Sequence, residues 1–216
     1  LDVEGKFIES KQPTDYEKNI DQFATEGYDV IITVGFLMGD ATEVKAQQYP
    51  DVKFAIIDHA YLPEEEDDPD PYESDLKNVT SLMFQEDEVG FLAGVVAAGM
   101  SKTGTICSVA GIDVPPVVRF VTGYQAGAKW MNEDIKTLNV YIPSFTDPAK
   151  GKEVGESMIK QQDCDVVFGV GGNTGNGGLL AAKEQGVMAI GVDVDQYYTY
   201  PEVQDALLTS AAKNVD

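Results

Sequence analysis

Two aspartates of this chain stand in matched surroundings. Asp58 ends the run Phe54-Ala55-Ile56-Ile57-Asp58, and Asp193 ends Met188-Ala189-Ile190-Gly191-Val192-Asp193. Each closes a short apolar stretch rich in β-branched residues, the signature of a strand buried in a parallel sheet. Ligands of parallel α/β sheets sit beyond the carboxyl ends of the strands, so both carboxylates fall where a ligand would lie. An ionised carboxylate there accepts hydrogen bonds from sugar hydroxyls, amino groups or a ring nitrogen. Its competing role is to cap a neighbouring loop or helix. The other expected strand ends carry Ser10 and Lys11, Gly35 and Phe36, His59, Gly111 and Asp113, Ser144 and Phe145, Gly171 to Thr174, and Val194 and Asp195. Among these Phe145, set between Ser144 and Thr146, offers a face for stacking on a planar ring or else packs back on the core.

Other motifs carry weaker chemistry. The run Gly169-Val170-Gly171-Gly172-Asn173-Thr174-Gly175 resembles a phosphate loop, whose glycines let backbone N–H groups approach an anion at a helix N-terminus. It follows a late strand and lacks the Lys-Ser/Thr ending, so it reads better as a glycine-rich wall against a neutral ligand. His59 is the single histidine. With no nucleophile turn to serve, it supports no catalytic triad and reads as structural or rim-placed. Asp113 and Arg119 flank Val114-Pro115-Pro116 and are expected to form an internal salt bridge. Cys107 and Cys164, the only cysteines, make no metal spacing and no Cys-x-x-Cys pair, and are expected as two packed thiols.

The elements that must position these residues come in two copies. Tyr28-Asp29-Val30-Ile31-Ile32-Thr33-Val34-Gly35-Phe36 matches Cys164-Asp165-Val166-Val167-Phe168-Gly169-Val170-Gly171-Gly172, and Lys6 to Ser10 matches Asn139 to Ser144. A β-α-β rhythm runs throughout, which gives parallel sheets covered by helices on both faces. The first copy predicts strands at Val3–Glu9, Asp29–Val34, Lys53–Ile57 and Asn78–Met83, with helices at Thr14–Glu26 and Asp40–Gln48. The second predicts strands at Thr105–Val109, Asn139–Ile142, Val166–Val170 and Met188–Val192. Its helices are expected at Glu88–Met100, Val117–Asn132, Pro148–Lys160 and Asn176–Gln185. Ala206–Ser210 parallels Asn78–Leu82. The chain is thus expected as two Rossmann-like α/β lobes: residues 1–84, residues 85–208, and a return crossover over 209–216. The first copy lacks a counterpart to the strand and helix of Gly104–Thr137, about 30 residues by the length of such units. The sequence therefore reads as truncated at both ends.

Composition narrows the partners. A net charge of −22 argues against nucleic acid and against an anionic membrane surface. No apolar stretch reaches the roughly 20 residues of a membrane helix. The acidic stretch Pro63 to Pro71 has the composition of solvated chain.

Several ordered motifs resemble one family. Phe84-Gln85-Glu86-Asp87-Glu88-Val89-Gly90-Phe91-Leu92-Ala93-Gly94 is similar to the domain-crossing segment of the basic membrane protein (BMP) family, substrate-binding lipoproteins of bacteria and archaea. Gly111 to Phe120, Gly123 to Gly127, Ser144 to Gly151, Gly171 to Gly177 and Gly191 to Gln196 resemble further family segments. The resemblance implies a type I periplasmic-binding-protein fold, two lobes on a hinge, and a purine nucleoside delivered to an ABC importer permease. By position it implies that Asp58 hydrogen-bonds the base and Phe145 stacks on it, while Gly171 or Gly172, Asp193 and Lys213 engage the ribose. It also implies an extracytoplasmic place, with membrane attachment only through an N-terminal lipid anchor. The family's Asp-Lys-Ser-Phe-Asn motif and lipidated cysteine are not found in these 216 residues.

The reading that joins these observations is a binding protein, not an enzyme, with no cofactor. Its rivals are an NAD(P)-dependent α/β enzyme using the Gly169–Gly175 loop and a cytoplasmic ligand-sensing regulator of the same fold.

Overall fold

In the computed structural model, which describes residues 3–61 and 76–214, eight strands fall into two sheets, and every neighbouring pair is parallel. Tertiary packing divides the chain into Leu1–Phe84 and Gln85–Asp216.

The first unit begins with α1 (Tyr16–Glu26), entered through a 3₁₀ turn at Pro13–Asp15 and ended by Gly27. Gly27 has φ of +86°, a left-handed cap open to glycine at little cost. Then come β1 (Val30–Val34), α2 (Gly39–Gln48), β2 (Lys53–Ile57) and β3 (Val79–Leu82), paired in the order β1-β2-β3. Ile20, Ile31, Ala41, Ala46 and Phe54 make its small core. Asn78 ties this unit together at the start of β3, donating from its side chain to the carbonyls of Ala46, Tyr49 and Val52.

The second unit is larger. Its elements are α3 (Glu86–Met100), β4 (Thr105–Ala110), α4 (Pro115–Met131), β5 (Lys136–Tyr141), α5 (Pro148–Gln162), β6 (Val166–Val170), α6 (Gly172–Gln185), β7 (Met188–Asp193), α7 (Gln196–Thr199) and β8 (Leu207–Ala212). The sheet order is β5-β4-β6-β7-β8. Successive side chains of a strand point to opposite faces, and the core divides accordingly. Ile106, Val166 and Phe168 join Ala97, Phe120 and Tyr124 of α3 and α4. Cys107, Val109 and Val167 join Met158 and Leu179 of α5 and α6. Two apolar faces need two helical layers, which is why the strands read as unbroken hydrophobic runs. Helices α3 and α4 meet through glycine: a Cβ on Gly94 would collide with the Tyr124 carbonyl oxygen, and one on Gly127 with that of Phe91.

Four expectations need correction. Val3–Glu9 forms no strand, and Phe7 is 90 % exposed. Its counterpart β5 pairs with β4, but among the described residues no strand stands beside β1 as β4 stands beside β6. A strand without a neighbour has no ladder for its backbone groups, so the apolar alternation alone cannot make one. Cys107 and Cys164 are not free thiols but a disulfide, with Cα atoms 6.0 Å apart. They lie 57 positions apart in sequence, yet β4 and β6 are direct neighbours. Helix α6 starts at Gly172, four residues before the expected Asn176, because close packing of its glycines outweighs their poor helix propensity. Of the segment 209–216, expected to cross back, residues 209–212 belong to β8 and pair with β7. The acidic stretch Pro63–Pro71 lies outside the described residues. No described helix is long and apolar enough to cross a membrane.

Candidate ligand-binding site

The carboxyl end of the second sheet gathers most of the predicted residues. Phe145, in the loop after β5, is half-buried and seated on Gly111 of the loop after β4. A Cβ on Gly111 would lie 2.5 Å from Phe145 Cδ1 and 3.1 Å from Gly171 Cα. Gly171 has φ of +152°, and a side chain on it would meet the backbone of Gly111. Three loops therefore close on one another only because two glycines meet there.

Thr174 locks the Phe145 loop in place. Its buried hydroxyl donates to the Ser144 carbonyl (2.7 Å) and accepts from the Asp147 N–H (3.0 Å), while its own N–H donates to the Phe145 carbonyl (3.3 Å). That last bond occupies an N–H that a phosphate loop would point at an anion. The remaining glycines of the run serve packing: a Cβ on Gly175 would lie 2.9 Å from the Gly169 backbone, and one on Gly178 2.8 Å from Val109.

Asp193 ends β7 with φ of +65°, a conformation that costs an L-residue energy and that aspartate tolerates better than most. The backbone N–H of Lys213 donates to its carbonyl (3.0 Å), and Lys213 Nζ lies 3.6 Å from its Oδ1. Gln196 braces this turn from below: its Oε1 accepts from the Val192 N–H (2.8 Å) and its Nε2 donates to Asn176 Oδ1 (2.8 Å). Lys213 Nζ also sits 3.4 Å from Glu86 Oε1 and 5.7 Å from the centre of the Phe120 ring.

Arg119 corrects a further expectation. Its Nε donates to Glu86 Oε2 at 2.6 Å, so its partner is Glu86 and not Asp113. Asp113 is exposed and acts instead on Tyr141, whose hydroxyl burial first, and the Asp113 charge second, hold above its ordinary pKa. Arg119 is the only arginine in the chain and Glu86 the one buried carboxylate among the described residues. Sequence reasoning passed over Glu86, Gln196 and Asn176. An acidic residue in the first turn of a helix normally faces solvent, and only the packing of α4 against α3 buries this one.

The first unit presents a different strand end. Asp58 closes β2 with φ of +67°, the same left-handed turn as Asp193, and its N–H donates to the Leu82 carbonyl (3.0 Å). Phe36, in a 3₁₀ turn after β1, meets His59 edge-on at 4.9 Å, and His59 meets Tyr61 at 4.6 Å. A Cβ on Gly39 would lie 2.7 Å from the His59 ring. Burial holds the His59 imidazole below its ordinary pKa and pushes the Tyr61 hydroxyl up to about 12. Tyr61 donates to the Gly39 carbonyl (2.7 Å). His59 is thus a packed, neutral aromatic. Among the described residues no cluster of His, Cys, Asp and Glu could hold a metal ion.

Both units share a parallel α/β architecture of sheets flanked by helices. A solved solute-binding protein of an ABC transporter system from Aeropyrum pernix has that architecture. It superposes with a TM-score of 0.76 at 33 % identity, over 93 % of this chain and 55 % of its own. The chain belongs to the Bmp family, ABC transporter substrate-binding proteins of the PnrA-like type, which it matches over residues 2–216. Basic membrane protein A of Borreliella burgdorferi is 36 % identical over 210 residues, 96 % of this chain and 58 % of that protein. The "ABC transporter nucleoside-binding protein BmpA" of Lactococcus lactis is 36 % identical over 200 residues, 89 % of this chain and 53 % of that protein. The chain therefore spans between half and three-fifths of the length of these relatives. They are substrate-binding proteins, not enzymes, and the NAD(P)-enzyme reading of the Gly169–Gly175 loop falls with that.

Proposed function

We propose that this chain carries the binding residues of an extracytoplasmic solute-binding protein whose ligand is a purine nucleoside, handed to an ABC importer permease. The observation that carries the reading is the pairing, at one sheet end, of an aromatic seat with the Asp193–Lys213 pair. Phe145 suits a planar base, Asp193 and Lys213 suit the hydroxyls of a ribose, and Gly171 and Gly172 form the backbone wall that seats the Phe145 loop. The name of the Lactococcus lactis relative supports the ligand class. The buried disulfide supports an oxidising compartment outside the cytoplasm. Attachment to the membrane would come from a lipid anchor outside these residues.

Isothermal titration of the full-length protein with adenosine, guanosine, inosine, cytidine and free ribose tests this. Tight one-to-one binding of purine nucleosides with ribose silent supports it. Silence toward all five rejects the nucleoside.

A further inference from the structure

The proposed contacts leave the charge beneath them unexplained. Glu86 is fully buried in the first turn of α3, where the helix dipole favours an anion but does not repay the loss of water. A buried carboxylate survives only when paired. Glu86 has two partners on different elements: Arg119 of α4 on one oxygen at 2.6 Å, and Lys213, just past β8, 3.4 Å from the other. Lys213 in turn reaches Asp193 at 3.6 Å.

Exposure rises along this line. The side chains of Glu86, Lys213 and Asp193 are 0 %, 9 % and 52 % exposed. The chain of alternating charge starts in the interior and surfaces at the strand end. With Arg119 it joins two carboxylates to two cations, so the cluster has no formal net charge and suits a neutral, hydroxyl-bearing ligand better than an anion.

We propose that Glu86 is a positioning residue, which through Lys213 holds an ammonium donor and the Asp193 acceptor at a fixed spacing for adjacent ligand hydroxyls. The proposal rests on the nucleoside reading of the same site. A lysine has a long flexible stem, and ordering it on binding would cost affinity. The Glu86 carboxylate and the Phe120 ring settle that cost at folding, before a ligand arrives. Arg119 contributes by holding the other carboxylate oxygen, which keeps Oε1 turned to Lys213.

The test uses Glu86→Gln in the full-length protein, with Glu86→Asp as a second variant that keeps the buried charge and withdraws it by one methylene. Two quantities are read: affinity for inosine against hypoxanthine, its base without ribose, and the NMR signal of Lys213 as its ¹³C-dimethyl derivative without ligand. The signal is identified by its loss in Lys213→Arg. The expected result is inosine binding weakened about tenfold or more, hypoxanthine binding nearly unchanged, and a Lys213 signal moved toward that of exposed lysines. Unchanged inosine affinity in both variants overturns the proposal, as does an equal loss of inosine and hypoxanthine, which marks a merely structural role. If the wild-type protein binds no nucleoside, the function reading fails and the Lys213 signal alone decides. A signal that moves in Glu86→Asp keeps Glu86 as the residue that places Lys213, and one that stays put removes it.

Discussion

Strands β1 and β6 have nearly the same sequence pattern and different fates. Every residue of β6 is buried, whereas Val30, Ile32 and Val34 of β1 are 54 %, 59 % and 65 % exposed. The difference lies in their neighbours. β6 runs between β4 and β7 under helices on both faces, while β1 pairs only with β2 among the described strands. A repeated sequence fixes the turn chemistry locally, as the matched φ of Asp58 and Asp193 shows, but burial is a property of the whole sheet. The charge at the strand ends diverges in the same way. By the registers of β2 with β3 and of β7 with β8, Phe84 stands in the first unit where Lys213 stands in the second. One unit thus offers aromatic surface beside its aspartate, and the other a buried ion network.

The largest way to break this contrast is to cut the staple of the second unit. Replacing both Cys107 and Cys164 with alanine should cost about 2–5 kcal/mol, since the bond closes a long loop. Hydrogen exchange should show faster opening of β4 and β6 with β1 and β2 unaffected. Equal loosening of both units would mean that they unfold as one. Next comes Asp193→Ala, which should weaken inosine by about 1.5–3 kcal/mol, the range for hydrogen bonds to a charged group, and hypoxanthine far less. Equal losses in calorimetry would remove the ribose assignment. Phe145→Ala should cost roughly 1–3 kcal/mol of base affinity, the scale of a lost stacking aromatic. Phe36→Ala should cost less, because Phe36 already packs edge-on against His59. The reverse order would place the base on the first unit.

The smallest effect concerns pH. Burial holds folded His59 below its ordinary pKa, so as pH falls the unfolded chain takes up its proton first. Its contribution is intact above about pH 6.5 and is lost as pH drops through the depressed folded value. His59→Phe should flatten the difference between urea midpoints at pH 7.5 and pH 5. A variant as pH-sensitive as wild type would assign that slope to carboxylates.

The sequence was most legible where a residue's fate is set by its own segment. Lys53–Ile57 and Val166–Val170 are strands at the expected bounds, because each is a short β-branched run between turn formers. Pro148 opens α5 behind Asp147, whose carboxylate accepts from the Lys150 N–H (2.9 Å), as the capping pattern predicts. Legibility ended where two distant segments must meet. Cys107 finds Cys164 only because β4 and β6 are adjacent, and Arg119 reaches past nearby Asp113 to Glu86 because α4 packs on α3. The candidate site divides along the same line. In the second unit Phe145, Gly171, Gly172 and Asp193 could be named from their positions after strands, as Asp58 could in the first, and Lys213 from a family resemblance. Glu86, Gln196 and Thr174, which brace Lys213, the Asp193 turn and the Phe145 loop, became visible only with the packing in place.

The most direct measurement is a crystal structure of the full-length protein with adenosine bound. The account predicts the base stacked on Phe145 and the ribose hydroxyls hydrogen-bonded to Asp193 and Lys213. Adenosine bound away from the carboxyl end of the second sheet, or with its ribose turned from Asp193, would contradict it.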